Sequence, residues 1–216
     1  MDRRTICVKG VGRVSRAPDM VEVDMKISAS NESYEKAVLI NGQQLSMLQE
    51  AVEEAGLPAK DLKTSLFSVN PSYHYNDDTR EKELTGYECS QRASISFPFR
   101  KELFSAVLSS LSSSMAEPVI TLSFHVADQE SLRDELLAAA VRDAAHKAQV
   151  LTKAAGQALG NMISINYSWD EVQFSSPGMN YMGAREEIGS ASMDVHPENV
   201  EGEESVTITW ELKEEI

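Results

Sequence analysis

The sequence predicts an α+β fold: a mostly antiparallel sheet, or sheets, with about three helices packed on one face. Two observations carry this. Three stretches alternate cleanly between apolar and polar residues, the mark of strands with one face in a core and one in water. The second observation is the order of elements, ββα-ββα-βαβ-β, which suits a sheet with helices on one side better than a doubly wound parallel fold. One-sided strands leave the other face to solvent or to another subunit.

Taken in order, a weaker strand over Thr5–Val14 contains Gly10 and Gly12, read as a bend or bulge. The pair lacks the third glycine of a dinucleotide fingerprint, and no phosphate-loop lysine follows. Val21, Val23, Met25, Ile27 and Ala29 then alternate with polar residues in a second strand. The first helix runs from an N-cap at Asn31 to about Ala55, where Gly56 and Pro58 end it. Its apolar side is Tyr34, Val38, Leu45, Leu48, Val52 and Ala55, interrupted by Asn41.

A weaker strand over Leu62–Tyr75 leads to the alternating run Glu88–Phe99, with Cys89, Ala93, Ile95, Phe97 and Phe99 on one side. A short helix over about Lys101–Met115 dissolves into Ser112, Ser113 and Ser114. In the strand Val119–Val126 the apolar set Ile120, Leu122, Phe124 and Val126 leaves His125 facing solvent or a partner. The third helix starts at an N-cap on Asp128 and is closed by Gly156. Leu137, Val141, Ala144, Ala148, Leu151 and Ala155, spaced by four and three, form its expected buried stripe. Alanines at its middle allow close approach to a sheet or helix, so packing explains this helix better than catalysis by His146, which lies off the stripe. A weak strand over Met162–Trp169 and the alternating run Val206, Ile208, Trp210, Leu212 complete the pattern.

Residues 1–216 read as a single domain with a mobile loop over 170–204, rich in Gly, Ser and Met; the alternative is a segment that orders against a partner. With 34 acidic and 20 basic residues the net charge is −14, and the basic clusters Arg3-Arg4 and Arg100-Lys101 are only pairs, so nucleic acid is not an expected partner. No apolar run reaches the roughly 20 residues of a membrane span. The start of the chain lacks the apolar core of a signal peptide, so the sequence as given reads as cytoplasmic, with the cell envelope as the alternative if a leader was removed.

Chemistry is sparse. Cys7 and Cys89 read as buried thiols in neighbouring strands, and neither lies in a CxxC. The four histidines, His74, His125, His146 and His196, show no metal-binding spacing. His74 with Asp77 and Asp78 could complete a metal or hydrolytic site, but a solvated turn with Asp in its usual role is the better explanation. No catalytic, cofactor-binding or metal-binding residue is assigned, and no cofactor is expected.

Several segments together resemble the SIMPL domain family of bacterial proteins. They are Val11-Gly12-Arg13-Val14 with Ala17-Pro18-Asp19, Leu62-Lys63-Thr64, Val69-Asn70-Pro71 with Tyr73, and Leu84-Thr85-Gly86-Tyr87. Ile120-Thr121-Leu122-Ser123-Phe124, Ala145-His146-Lys147-Ala148, Gly156, Leu159-Gly160 and Val206 to Leu212 follow in the same order. The resemblance implies an α+β domain that assembles into rings or channel-like homo-oligomers, a family that includes oxidative-stress defence proteins, and no catalytic residues to carry over. The expected function is therefore that of a non-enzymatic, self-associating protein with a stress-related or scaffolding role. The alternative is a small-ligand or partner-binding module using the 170–204 loop, and a hydrolase built on His74, Asp77 and Asp78 is the third reading.

Overall fold

The computed structural model describes residues 4–76, 80–167, 179–181 and 195–214. The elements run β1 (Thr5–Arg16), β2 (Met20–Asn31), α1 (Tyr34–Glu54), a 3-10 turn at Ala59–Asp61, β3 (Lys63–Asn76), β4 (Glu81–Pro98), α2 (Lys101–Ser113), β5 (Val119–His125), α3 (Gln129–Ala154), β6 (Gln157–Tyr167), β7 (Met179–Tyr181) and β8 (Val200–Glu214). The class is α+β as expected, in two antiparallel sheets: β1-β8-β6 and β3-β4-β2-β5-β7. Two units result. One draws on Met1–Pro18, Val126–Ser176 and Glu198–Ile216, the other on Asp19–His125 and Pro177–Pro197.

In the five-stranded unit, Val21, Val23, Met25 and Ile27 of β2 meet Ala93, Ile95 and Phe97 of β4 and Ile120, Leu122 and Phe124 of β5 in one core. Period-two alternation places them all under α1 and α2. Phe99, Phe104 and Phe124 pack edge-on or tilted, with centroids 5.1–6.1 Å apart, and full burial of Phe104 and of Phe124 contributes roughly 1.5–3 kcal/mol each. In α1 the cap is Ser33 rather than Asn31. Asn31 instead accepts the Ser33 N–H through Oδ1 at 3.0 Å, an Asx turn one step earlier. Asn41 does not interrupt the buried side: it is fully buried, its Nδ2 donating to the Cys89 carbonyl and to Gln44 Oε1, each at 3.5 Å. Tyr34, expected in the stripe, is exposed and stacks edge-on with Tyr87 at 5.6 Å. Gly56, at φ 88°, follows the end of the helix as expected.

The three-stranded unit is built around α3. Asp128 caps it, Oδ1 accepting the Ser131 N–H at 2.9 Å, and Gly156, at φ 64°, closes it. The buried line is Leu132, Leu136, Ala140, Ala144, Ala148 and Thr152. This corrects the expected stripe: Leu137 and Val141 are half-buried, while Leu151 is 52% exposed. The reason is geometric. Rows of residues four apart incline about 26° to a helix axis, so a helix laid across strands along that row buries a pure four-step line.

Gly10 and Gly12 supply the matching groove. A Cβ on Gly10 would sit 2.1 Å from the Ala140 carbonyl oxygen, and one on Gly12 would sit 2.1 Å from that of Leu136. The β1–β8 register runs unbroken from Thr5↔Glu211 to Arg16↔Val200, so the glycines mark close approach of a helix and not the expected bulge.

Other boundaries move modestly. β4 begins at Glu81 and β6 at Gln157, earlier than the alternation suggested. Within 170–204, β7 and the first residues of β8 are strand; 182–194, Trp169 and most of the remaining loop expectation lie outside the described residues. No helix among the described residues is long and apolar enough to cross a membrane.

Candidate interaction surface

Two edge strands present apolar side chains outward. In β3, whose partner is β4, Leu66 and Phe67 are each 54% exposed. Where β3 and β4 run on past β2, Tyr73 pairs with Leu84 and Tyr75 with Lys82, and both tyrosines and the leucine are exposed. The opposite face of this ribbon is polar: His74 lies across from Glu83, which accepts from Asn76 Nδ2 at 2.9 Å. Alternation is lost here because neither face of the ribbon is covered by a helix, and register shifts at Thr64/Leu66 and Ser72/Tyr73 add to the irregularity.

β6 is the edge of the other sheet. Met162, Ile163 and Ile165 are 46–47% exposed, and the strand's eleven residues, QALGNMISINY, include no charged side chain. Charges normally guard an edge strand against pairing with other chains. Met162 and Ile165 stand opposite Trp210 and Ile208, which are buried in the core beneath α3; Ser164 and Asn166 stand opposite Thr209 and Thr207 on the other face.

The far edge of the same sheet is capped at its middle, at Lys9 and Val11. Asp143 of α3 accepts the Val11 N–H through Oδ2 at 2.7 Å. Lys147 donates to the same oxygen at 2.6 Å and reaches the Lys9 carbonyl at 3.5 Å. These two donors hold the Asp143 carboxyl below its ordinary value, the Lys147 hydrogen bond contributing most.

A shallow cleft of about 420 Å³ lies along β1 and β8, lined by Arg13, Val14, Ser15, Glu201, Gly202 and Glu203. Its principal charges satisfy each other: Arg13 Nε donates to Glu203 at 2.7 Å, which raises the guanidinium's already high pKa.

The expected positions lie on different elements of the two units. Cys7 is exposed on β1, because odd positions of that strand face away from α3, whereas Cys89 is buried in the other sheet. The expectation of neighbouring buried thiols is thereby corrected, and burial raises the pKa of the Cys89 thiol. His125 faces outward as read, within 3.5 Å of Ser96 Oγ, and His146 is exposed. His74 is exposed on β3, while Asp77 and Asp78 lie outside the described residues. No group of three or more metal-ligating side chains occurs among the described residues.

Comparison with known families places residues 6–210 within SIMPL, described as a protein of unknown function (DUF541). The chain belongs to the SIMPL family. A 26 kDa periplasmic immunogenic protein of Brucella melitensis is 26% identical over 172 residues, 74% of this chain and 65% of that protein. The chain therefore aligns with slightly less than two thirds of that relative. The uncharacterized protein YggE of Escherichia coli strain K12 is 21% identical over 208 residues, 96% of this chain and 83% of its own. A solved structure titled the regulatory subunit of aspartate kinase from Thermus flavus aligns over 95% of this chain at 8% identity with a TM-score of 0.20, too low to support any inference.

Proposed function

We propose that this SIMPL protein acts by self-association, as a non-enzymatic scaffold with a stress-related role, in the cell envelope. The observation that supports self-association is the pair of open edges. In a chain with 25% charged residues and a net charge of −14, β3 and β6 together carry one Lys and one His and no acidic group. Copies of so acidic a chain repel one another over most of their surface, and apolar strands without acidic groups are where they approach at least electrostatic cost. The periplasmic description of the Brucella relatives supports the envelope location, in place of the cytoplasmic reading of the sequence alone.

The test is absolute mass by light scattering after size exclusion. A discrete multiple of 23.8 kDa is expected. A 23.8 kDa monomer at every concentration up to about 100 µM would sink the reading, since an affinity weaker than that corresponds to only about 5.5 kcal/mol. Location is tested by fractionating cells that express the natural gene, with signal expected in the envelope fraction.

A further inference from the structure

We propose that β6 is a homotypic pairing edge: β6 of one copy adds antiparallel to β6 of a second copy, across a twofold axis perpendicular to the sheet. This rests on the self-association reading and names the contact. The product is a continuous six-stranded sheet, β1-β8-β6 followed by the partner's β6-β8-β1, with both α3 helices on the same face.

The three-stranded unit ends in two edge strands, and β6 is the less guarded of them. On β1, Asp143 and Lys147 take the Val11 N–H and the Lys9 carbonyl, and Lys9, Arg13 and Arg16 place three cations along the strand. β6 ends the sheet on the other side.

The unit is also incomplete in width. A helix is about 10 Å across and strands are about 4.8 Å apart, so one helix covers two strands. α3 covers β1 and β8 and reaches only the start of β6, where Leu159 packs against its core; Val8, Val206, Ile208 and Trp210 are buried in that core, while Met162 and Ile165 of β6 remain half exposed on the same side. Val141 and Ala145 lie roughly 160–200° around the helix from Asp143, which sits over β1, and so form the opposite flank. Both are half-buried against this core. A twofold axis perpendicular to the sheet brings two such flanks to face each other across a trough. Met162 and Ile165 of both copies fill that trough.

Charge selects the occupant. A partner with a strong charge of either sign gains nothing from a strand that has none, whereas a second copy presents the same uncharged strand and meets no like charge on it. The alternation also restricts register. Ile165 faces the α3 side and Asn166 the other, so directly opposed residues must share parity, and the axis passes through a residue and not between two. The regular run Ser164–Tyr167 puts that residue at Ser164, Ile165 or Asn166.

The experiment combines mass with cross-linking in full-length protein carrying Cys7→Ser, which removes the exposed native thiol. Single substitutions Ser164→Cys, Ile165→Cys and Asn166→Cys are oxidised and run without reductant. Directly opposed residues in an antiparallel pair lie about 4.5–5.5 Å apart at Cα, within disulfide range. One of the three positions is expected to give at least about five times more covalent dimer than the other two. In parallel, Ile165→Lys is expected to reduce the mass of the assembly by at least half. An assembled wild type whose mass survives Ile165→Lys, and which cross-links at none of the three positions or equally at all, would overturn β6 pairing while leaving self-association standing. A monomeric wild type would overturn both. Should Ile165→Lys fail to fold, the cross-linking pattern decides alone.

Discussion

Gly10 and Gly12 set how closely α3 approaches the three-stranded sheet. Backbone atoms of α3 stand where their Cβ atoms would be, so relief requires the whole helix to move. Gly12→Ala is therefore expected to destabilise the protein by about 3 kcal/mol or more, the upper end of overpacking costs. Gly42 is the internal control. It lies within α1, and an added methyl there would meet nothing within 4 Å, so Gly42→Ala should stabilise by about 0.5–1 kcal/mol. Thermal unfolding of the two variants reads both signs, and a stable Gly12→Ala would refute the close approach. Asp143 gives a second residue-scale test. Its carboxyl is depressed by Lys147 and the Val11 N–H. A depressed folded pKa contributes stability that is fully present above the unfolded value, 3.8, and is lost as pH falls through the lower folded value. The melting-temperature difference between wild type and Asp143→Asn should favour wild type at pH 7 and shrink below pH 3.8. A constant difference down to acid would mean that ionisation of Asp143 does not matter. The Asp143–Lys147 pair, four residues apart on one helix, was legible from spacing; the glycine contacts and the capping of β1 at Lys9 and Val11 were not, because each depends on which strand α3 crosses.

At the scale of elements, α3 shows what periodicity reports and what it leaves open. Both the expected stripe and the observed line contain Ala144 and Ala148, since a four-three pattern and a four-step row cross in mid-helix. They part at the ends, where Leu132 and Leu136 are buried and Leu151 is exposed. Pattern reading assumes that the core lies along the helix axis; a sheet crossed along the four-step row does not. Ala144→Leu should cost about 1–3 kcal/mol through overpacking against Gly10. Leu151→Lys should stay within about 0.5 kcal/mol, as an exposed substitution does. Equal large losses in urea unfolding would restore the expected stripe. Strands are more legible where a helix covers them: β2, the later part of β4, β5 and β8 alternate because one face is dry. β3 and β6 alternate poorly because neither has a fully covered face, and that weakness is itself the signal of an open edge. The missing charges in 157–167 are likewise legible in the sequence alone.

For the whole molecule, alternation says which face of a strand is buried but not which strand it pairs with, so one sheet and two sheets predict the same pattern. The division into β1-β8-β6 and β3-β4-β2-β5-β7 follows from long-range pairing of the first and last strands, which no local signal encodes. Acidity acts at this scale too. At about 0.01 M salt the screening length is about 30 Å, comparable with the protein, and copies carrying −14 each repel before their edges meet. At about 0.15 M it falls to about 8 Å, and repulsion is confined to charges near the contact itself. Apolar pairing through uncharged strands is not weakened by that screening. Association measured by light scattering should therefore strengthen from about 0.01 to about 0.15 M sodium chloride. An interface held by ion pairs between charged faces, such as that of Arg13 and Glu203 exchanged between copies, would weaken over the same range, so the sign of the salt effect tells an uncharged edge from a charged face.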